Sequence, residues 1–220
     1  MMLLAFSAQT VLASEGIYDR DLVRGFLSLK GDFRSMKSNG VKLINDVTGE
    51  RYVKEFVDGH VEIGAEYNQL RTWFDVDFMP LTPTRGTTEW YSYGITWMWG
   101  YKLLAQNSRF NIIPSFGPGF ELLNIRLSPT EEVMSSLGPT LNLELEFRLQ
   151  FPQFSAGIYG GYKVERHYNW DEKTVARVNQ SGQSIQSTSL NDVNTDKAFV
   201  GFKLSWTMLN NFQKRAKEIE

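Results

Sequence analysis

The chain has 220 residues, enough for one all-β domain, and its 23 basic and 25 acidic side chains leave a formal net charge of −2. That balance excludes a broad basic face for nucleic acid. Cysteine is absent, which excludes disulfides and thiolate metal sites, and no run of about 18 apolar residues is available to cross a membrane as a helix.

The opening stretch MMLLAFSAQTVLASEG has an apolar run over 1–6, then Val11, Leu12 and Ala13 ahead of Ser14, the pattern of the back half of a secretory signal peptide. We therefore expect a signal peptide over 1–13, a β-barrel domain over 14–208 and a charged tail over 209–220. From residue 23 onward, side chains alternate between apolar and polar. A strand sends alternate residues to opposite faces, so each such segment predicts a two-faced strand.

The first strand is predicted over 23–34, with Leu27, Leu29 and Phe33 opposite Arg24, Lys30, Asp32 and Arg34. Residues 35–56 read as a polar stretch with turn signals at Ser38-Asn39-Gly40 and Thr48-Gly49, and Val41, Leu43, Tyr52 and Val53 around them suggest a hairpin that extends the strands. The second strand, 57–68, sets Val57, Val61 and Ile63 against Asp58, His60, Glu62 and Glu66. Only Asn68-Gln69 separates it from the third, 70–79, where Leu70, Phe74, Val76 and Phe78 oppose Arg71, Trp73, Asp75 and Asp77. The fourth, 88–103, carries an aromatic stripe of Tyr91, Tyr93, Trp97, Trp99 and Tyr101. The fifth, 109–121, puts Phe110, Phe116 and Phe120 opposite Arg109, Asn111 and Glu121, with Pro114 and Pro118 marking bulges or lost pairing.

A loop is expected over 122–136, with a helical turn at Ser128-Pro129-Thr130-Glu131 from a capping-box pattern. The sixth strand, LGPTLNLELEFRLQF over 137–151, has the cleanest alternation, with Leu143, Leu145 and Phe147 against Glu144, Glu146 and Arg148. The seventh, 154–167, places Ile158, Tyr162 and Val164 opposite Tyr159, Lys163, Glu165 and His167. Residues 168–195 form the longest connection, with a second hairpin hinted at by Val175, Val178 and Ile185 around Ser181-Gly182. The eighth strand, 196–208, sets Val200, Phe202, Leu204 and Trp206 against Lys197, Gly201 and Lys203.

Eight two-faced strands admit two packings. Apolar faces turned inward make a soluble ligand-binding barrel of lipocalin type. Apolar faces turned outward make a transmembrane barrel with a polar lumen. The pattern favours the second. Short turns at 69, 104–108 and 152–153 alternate with longer links, as in barrels with short periplasmic turns and long outer loops. The polar faces carry ten acids and ten bases, a balance suited to pairing in a confined interior, with Glu62, Glu66, Arg71, Asp75, Asp77, Arg109, Glu144, Glu146, Arg148, Lys163, Glu165 and Lys203 as the central network. Glycine on the same faces suits a lumen only wide enough for side chains. Aromatics near strand ends, such as Phe33, Phe78 and Phe120 at one rim and Tyr67, Tyr101 and Trp206 at the other, read as interfacial girdles.

At this point the chain resembles the small eight-stranded outer-membrane barrels of the OmpX and OmpA-transmembrane type. Locally, Gly201, Leu204 and Trp206 are similar to that family's C-terminal assembly signal, although Phe199 stands where a polar residue is expected and the chain continues to Glu220. The resemblance implies an eight-stranded antiparallel up-and-down barrel in the outer membrane of a Gram-negative bacterium. It also implies lipid and the barrel-assembly machinery as partners.

The chemistry of sites is sparse. His60 and His167 sit on the lumen face, where Ser155, Asp58 or Glu165 are conceivable partners for a lipid-modifying enzyme, but no spacing defines a nucleophile–base pair. No P-loop, dinucleotide fingerprint, zinc spacing or calcium-loop spacing occurs. The expectation is a non-enzymatic barrel with no cofactor or metal, contacting the outside through loops 35–56 and 168–195. A lipid-modifying enzyme and a narrow channel stand as alternatives.

Overall fold

The computed structural model describes residues 23–42, 51–52, 55–81, 83–85, 89–105, 108–126, 133–168, 174–178, 184–189 and 192–208. Among these, eight strands close into a barrel: β1 (Val23–Ser38), β3 (Glu55–Tyr67), β4 (Leu70–Leu81), β6 (Glu89–Tyr101), β7 (Phe110–Arg126), β8 (Val133–Gln150), β9 (Phe154–His167) and β12 (Val193–Met208). Each pairs antiparallel with its neighbours in the wall, and β12 returns to pair with β1. Closure leaves no sheet edge, so every wall N–H and C=O can be satisfied without water. The remaining strands stand outside the wall. β2 (Arg51–Tyr52) pairs with β5 (Pro83–Arg85), and β10 (Thr174–Val178) pairs with β11 (Ser184–Ser189).

The tight connections cluster at one end, called here the turn end. Asn68 adopts φ 54° in the two-residue β3–β4 turn, a left-handed conformation that asparagine tolerates because its short amide can bond locally. The other, loop end carries the longer links. Pairing of β6 with β7 is interrupted between Thr96↔Gly119 and Trp99↔Phe116. Pro118 sits in that gap and has no N–H to donate, as its sequence position suggests.

Three stretches depart from the sequence expectation. β1 runs on to Ser38 and β3 starts at Glu55, so the strands do extend into 35–56, but Val41 lies in a helical turn at 39–42 and Tyr52 on β2 pairs across to β5. Pairing between two separate loops leaves no local periodicity to read. The expected loop at 122–136 is largely wall, because β7 extends to Arg126 and β8 starts at Val133. There Leu122 faces out while Leu123 and Ile125 face in, so the polar alternation that marks a two-faced strand disappears. β12 begins at Val193 rather than 196. The β10–β11 hairpin falls where Val175 and Ile185 suggested one. The helical turn expected at 128–131, the signal peptide over 1–13 and the tail over 209–220 lie outside the described residues.

The faces are sorted without ambiguity. Outward residues such as Leu29, Val61, Phe74, Trp97, Phe120, Leu143, Ile158 and Phe202 are exposed, while their inward-facing neighbours along the strands line the lumen. On β7 the outward apolar run from Phe110 to Leu122 spans twelve steps. At about 3.4 Å per step and a tilt of about 45°, that is a band about 28 Å tall, close to the hydrocarbon thickness a barrel must match. Polar outward residues take over just beyond it, with Lys37, Glu55, Glu89 and Arg126 exposed at the loop end. This is the reverse of a lipocalin-type barrel, which would turn its apolar faces inward, and the soluble alternative is set aside on that ground.

Candidate functional site

The interior is the chemically dense part of the molecule. Period-2 alternation on eight strands points charged side chains at a common axis, and closure places them within bonding distance. Near the loop end, Lys163 Nζ lies 2.7 Å from both Asp77 and Glu121, and Lys197 Nζ lies 2.8 Å from Glu121 and 2.5 Å from Glu165. Below them Arg34 donates to Asp32 at 2.7 Å and reaches Asp58 at 3.3 Å. His60 is wedged here, with Nδ1 3.0 Å from Asp75, Nε2 3.2 Å from Asp32, and the Arg34 guanidinium in contact with Nε2. The Tyr159 hydroxyl donates to Asp32 at 2.8 Å.

At mid-height two ammonium groups each hold three carboxylates. Lys30 reaches Glu62, Asp75 and Glu144 at 3.2, 3.0 and 2.7 Å, and Lys203 reaches Glu62, Glu144 and Glu146 at 3.0, 3.1 and 3.0 Å. Towards the turn end, Arg148 bonds Glu146 at 2.5 Å, Arg71 reaches Glu146 at 3.3 Å, and Lys102 reaches Glu66 at 3.0 Å. Removing one partner of such a buried pair strands a charge in low dielectric, which costs about 3–5 kcal/mol.

Of the network residues named from sequence, Glu62, Glu66, Arg71, Asp75, Asp77, Glu144, Glu146, Arg148, Lys163, Glu165 and Lys203 are all buried in the lumen and ion-paired. Arg109 is not among them. It is exposed in the turn that precedes β7, where its carbonyl accepts from Gln150 N at 2.7 Å. The wall begins at Phe110, so extending strand parity one residue into the turn misplaced it. Among the described residues, the buried count is therefore ten acids against nine lysines and arginines, with two histidines beside them. Gly201, Leu204 and Trp206 lie on β12, and a Cβ at Gly201 would run into the Gly31 carbonyl and Asp32, so only glycine fits there.

The histidines are lumen residues. His60 faces carboxylates and Arg34, and His167 Nε2 is 3.9 Å from Glu165. Three carboxylate-rich triads have metal-like spacing: Asp58, His60 and Asp77; Glu121, Glu165 and His167; and Glu62, Asp75 and Glu144. Each already encloses a cationic side chain, Arg34, Lys197 and Lys30 respectively. Their negative charge is thus taken up by the protein's own cations.

Apolar lumen residues escaped sequence reasoning. Met36, Val41, Trp90, Leu123, Ile125, Met134 and Val193 are buried at the loop end, those on the strands at parities that face the axis. Trp90, Ile125 and Met134 are cross-strand neighbours on β6, β7 and β8. The helical turn packs into them: a Cβ on Gly40 would lie 2.6 Å from Val193 and 3.0 Å from Trp90. Asn39 ties the turn to the start of β12, donating to the Asp192 carbonyl at 3.0 Å and accepting from Asn194 N at 2.7 Å. An apolar plug thus closes the lumen above the charges. A second apolar layer of Phe26, Trp73 and Met98 lies nearer the turn end.

A closed eight-stranded wall, an apolar outer band and an ion-paired lumen define the fold of the small outer-membrane β-barrels. A major outer membrane protein from Thermus thermophilus has this fold, with a TM-score of 0.51 at 13% identity over 84% of this chain and 99% of that one. Neisserial surface protein A aligns with a TM-score of 0.47 at 12% identity over 81% and 95%, and the attachment invasion locus protein of Yersinia pestis with 0.48 at 12% over 84% and 99%. No family model matches the sequence. No curated protein matches it significantly.

Proposed function

We propose that the protein is a structural or interaction barrel of the Gram-negative outer membrane, non-enzymatic and closed to ion flow, which uses its loop end as the contact surface. The single observation that carries this reading is the continuous outward apolar band, about 28 Å tall by strand geometry, around a lumen filled by paired charges. Such a band is stable only in lipid, and eight strands leave room for side chains but not for a channel. The apolar plug at the loop end argues further against conduction. The β10–β11 hairpin stands beyond the wall on the loop side, the natural place for an external partner. Insertion would proceed through the barrel-assembly machinery, with Gly201, Leu204 and Trp206 as the recognised end of β12.

The reading is tested by placing an epitope between Val178 and Ser184 and probing intact cells with antibody, with planar-bilayer recordings alongside. Surface labelling with no conductance above the lipid background is expected. Steady unit conductance, or labelling only after cell lysis, would contradict it.

A further inference from the structure

β1 and β12 are the first and last strands of the wall, and theirs is the one wall junction that no chain connection spans. Every other pair of wall neighbours is consecutive in the wall and kept within reach by its link, so this seam depends on contacts alone. Those contacts are uneven. Towards the turn end Ser28 donates to Ser205 at 2.8 Å. At mid-height Lys30 stands directly opposite Lys203, a like-charge pair that is unfavourable by itself. The two ammonium groups are reconciled from outside the seam by Glu62 of β3 and Glu144 of β8, each within 3.2 Å of both. Next along the seam Gly31 faces Phe202 and Asp32 faces Gly201, so each of these two pairs lacks one side chain.

The loop end of the seam is tied by other means. Beyond its last pair with β12, β1 runs straight into the helical turn at 39–42. Ser38 shapes that turn, its hydroxyl accepting from Gly40 N at 3.2 Å and Val41 N at 3.5 Å, and it also accepts from Thr195 across the seam at 3.3 Å. Asn39 then grips the backbone on both sides of Val193, donating to the Asp192 carbonyl and accepting from Asn194 N. Val41 is buried among the apolar residues of the plug, and Gly40 is seated so closely on Val193 and Trp90 that a methyl group there has no room. The turn thus holds the start of β12 by bonds that lie outside the wall ladder and by an apolar seat that water must enter before the two can part.

We propose that the helical turn at 39–42 is a latch on the β1–β12 seam. Seated, it pins the last strand to the first at the loop end. Out of its seat, it frees the wall to open along this seam, where Lys30 already opposes Lys203 and two pairs carry a single side chain.

The test follows unfolding of the full-length barrel in lipid vesicles at fixed urea, read as loss of the fast-migrating form on gels run without boiling. Asn39→Ala removes the two bonds to the start of β12, and Gly40→Val unseats the turn from Val193. Should the second not fold, the first alone decides. The chain has no cysteine, so each variant is combined with a single engineered disulfide. One disulfide staples the seam through Ser35→Cys and Ala198→Cys, which lie directly opposite on the outward face. The other staples β8 to β9 through Leu141→Cys and Val164→Cys, also opposite and on that face. The latch variants are expected to unfold about tenfold faster than wild type, to lose that excess in the seam-stapled background and to keep it in the other. Acceleration that survives the seam staple, or that both staples abolish, means that the turn adds only general stability, and overturns the proposal. An unchanged rate in Asn39→Ala overturns it too. None of these outcomes depends on whether the barrel is closed to current or meets an external partner.

Discussion

The two faces of the same eight strands obey opposite rules. Outward positions such as Leu143 and Phe147 are apolar and need no partner, because lipid asks only for area. Inward positions one residue away, Glu144, Glu146 and Arg148, are buried and held in pairs across the lumen, because a charge-bearing group taken out of bulk solvent needs a partner. The contrast shows why a charge tolerated on one parity is costly on the other. It also shows that the interior is held by pairing rather than by an apolar core of the usual kind.

The contrast is sharpened first at Lys203, which holds three carboxylates. Lys203→Met should cost about 3–5 kcal/mol by stranding them, read as a lower urea midpoint in vesicles. An unchanged midpoint would break the claim that pairing holds the lumen. Next, Leu143→Arg places a charge on the outward face near mid-band and should cost about 2–4 kcal/mol. A cost near zero, measured in the same vesicles, would mean that this face does not meet lipid.

Two glycines give a smaller paired test. Gly201 faces inward and a Cβ there meets backbone and Asp32, whereas Gly59 faces outward and a Cβ there would have nothing within 4 Å. Gly201→Ala should lower the unfolding midpoint, while Gly59→Ala should be neutral or gain up to about 1 kcal/mol from reduced chain entropy. The least effect is expected at Arg126, whose pair with Glu89 at 3.2 Å is half exposed. Arg126→Ala should change stability by less than about 1 kcal/mol, and that difference should vanish in high salt.

Much of this was legible in the sequence, because lipid and lumen impose a strict period of two. Strand number, face assignment and eleven of the twelve named network residues followed from parity alone. What parity could not show was pairing in three dimensions. That Lys30 of β1 meets Glu144 of β8, or that Tyr159 meets Asp32, depends on closure across the axis. It failed where the strand meets a turn, at Arg109, and where both faces are apolar, at Leu122 and Leu123. The plug went unread because Ile125 and Met134 fall in a stretch without polar alternation, and because Trp90, though on the inward parity of its strand, is apolar where a charged lumen residue is expected.

The most direct test of the central claim, a closed barrel with its apolar face in lipid, is heat-modifiability of the membrane-extracted protein. Samples in detergent are run on denaturing gels with and without boiling, beside a detergent fractionation of the cell envelope. The account predicts faster migration without boiling and recovery in the outer-membrane fraction. A water-soluble protein whose mobility boiling does not change would contradict it.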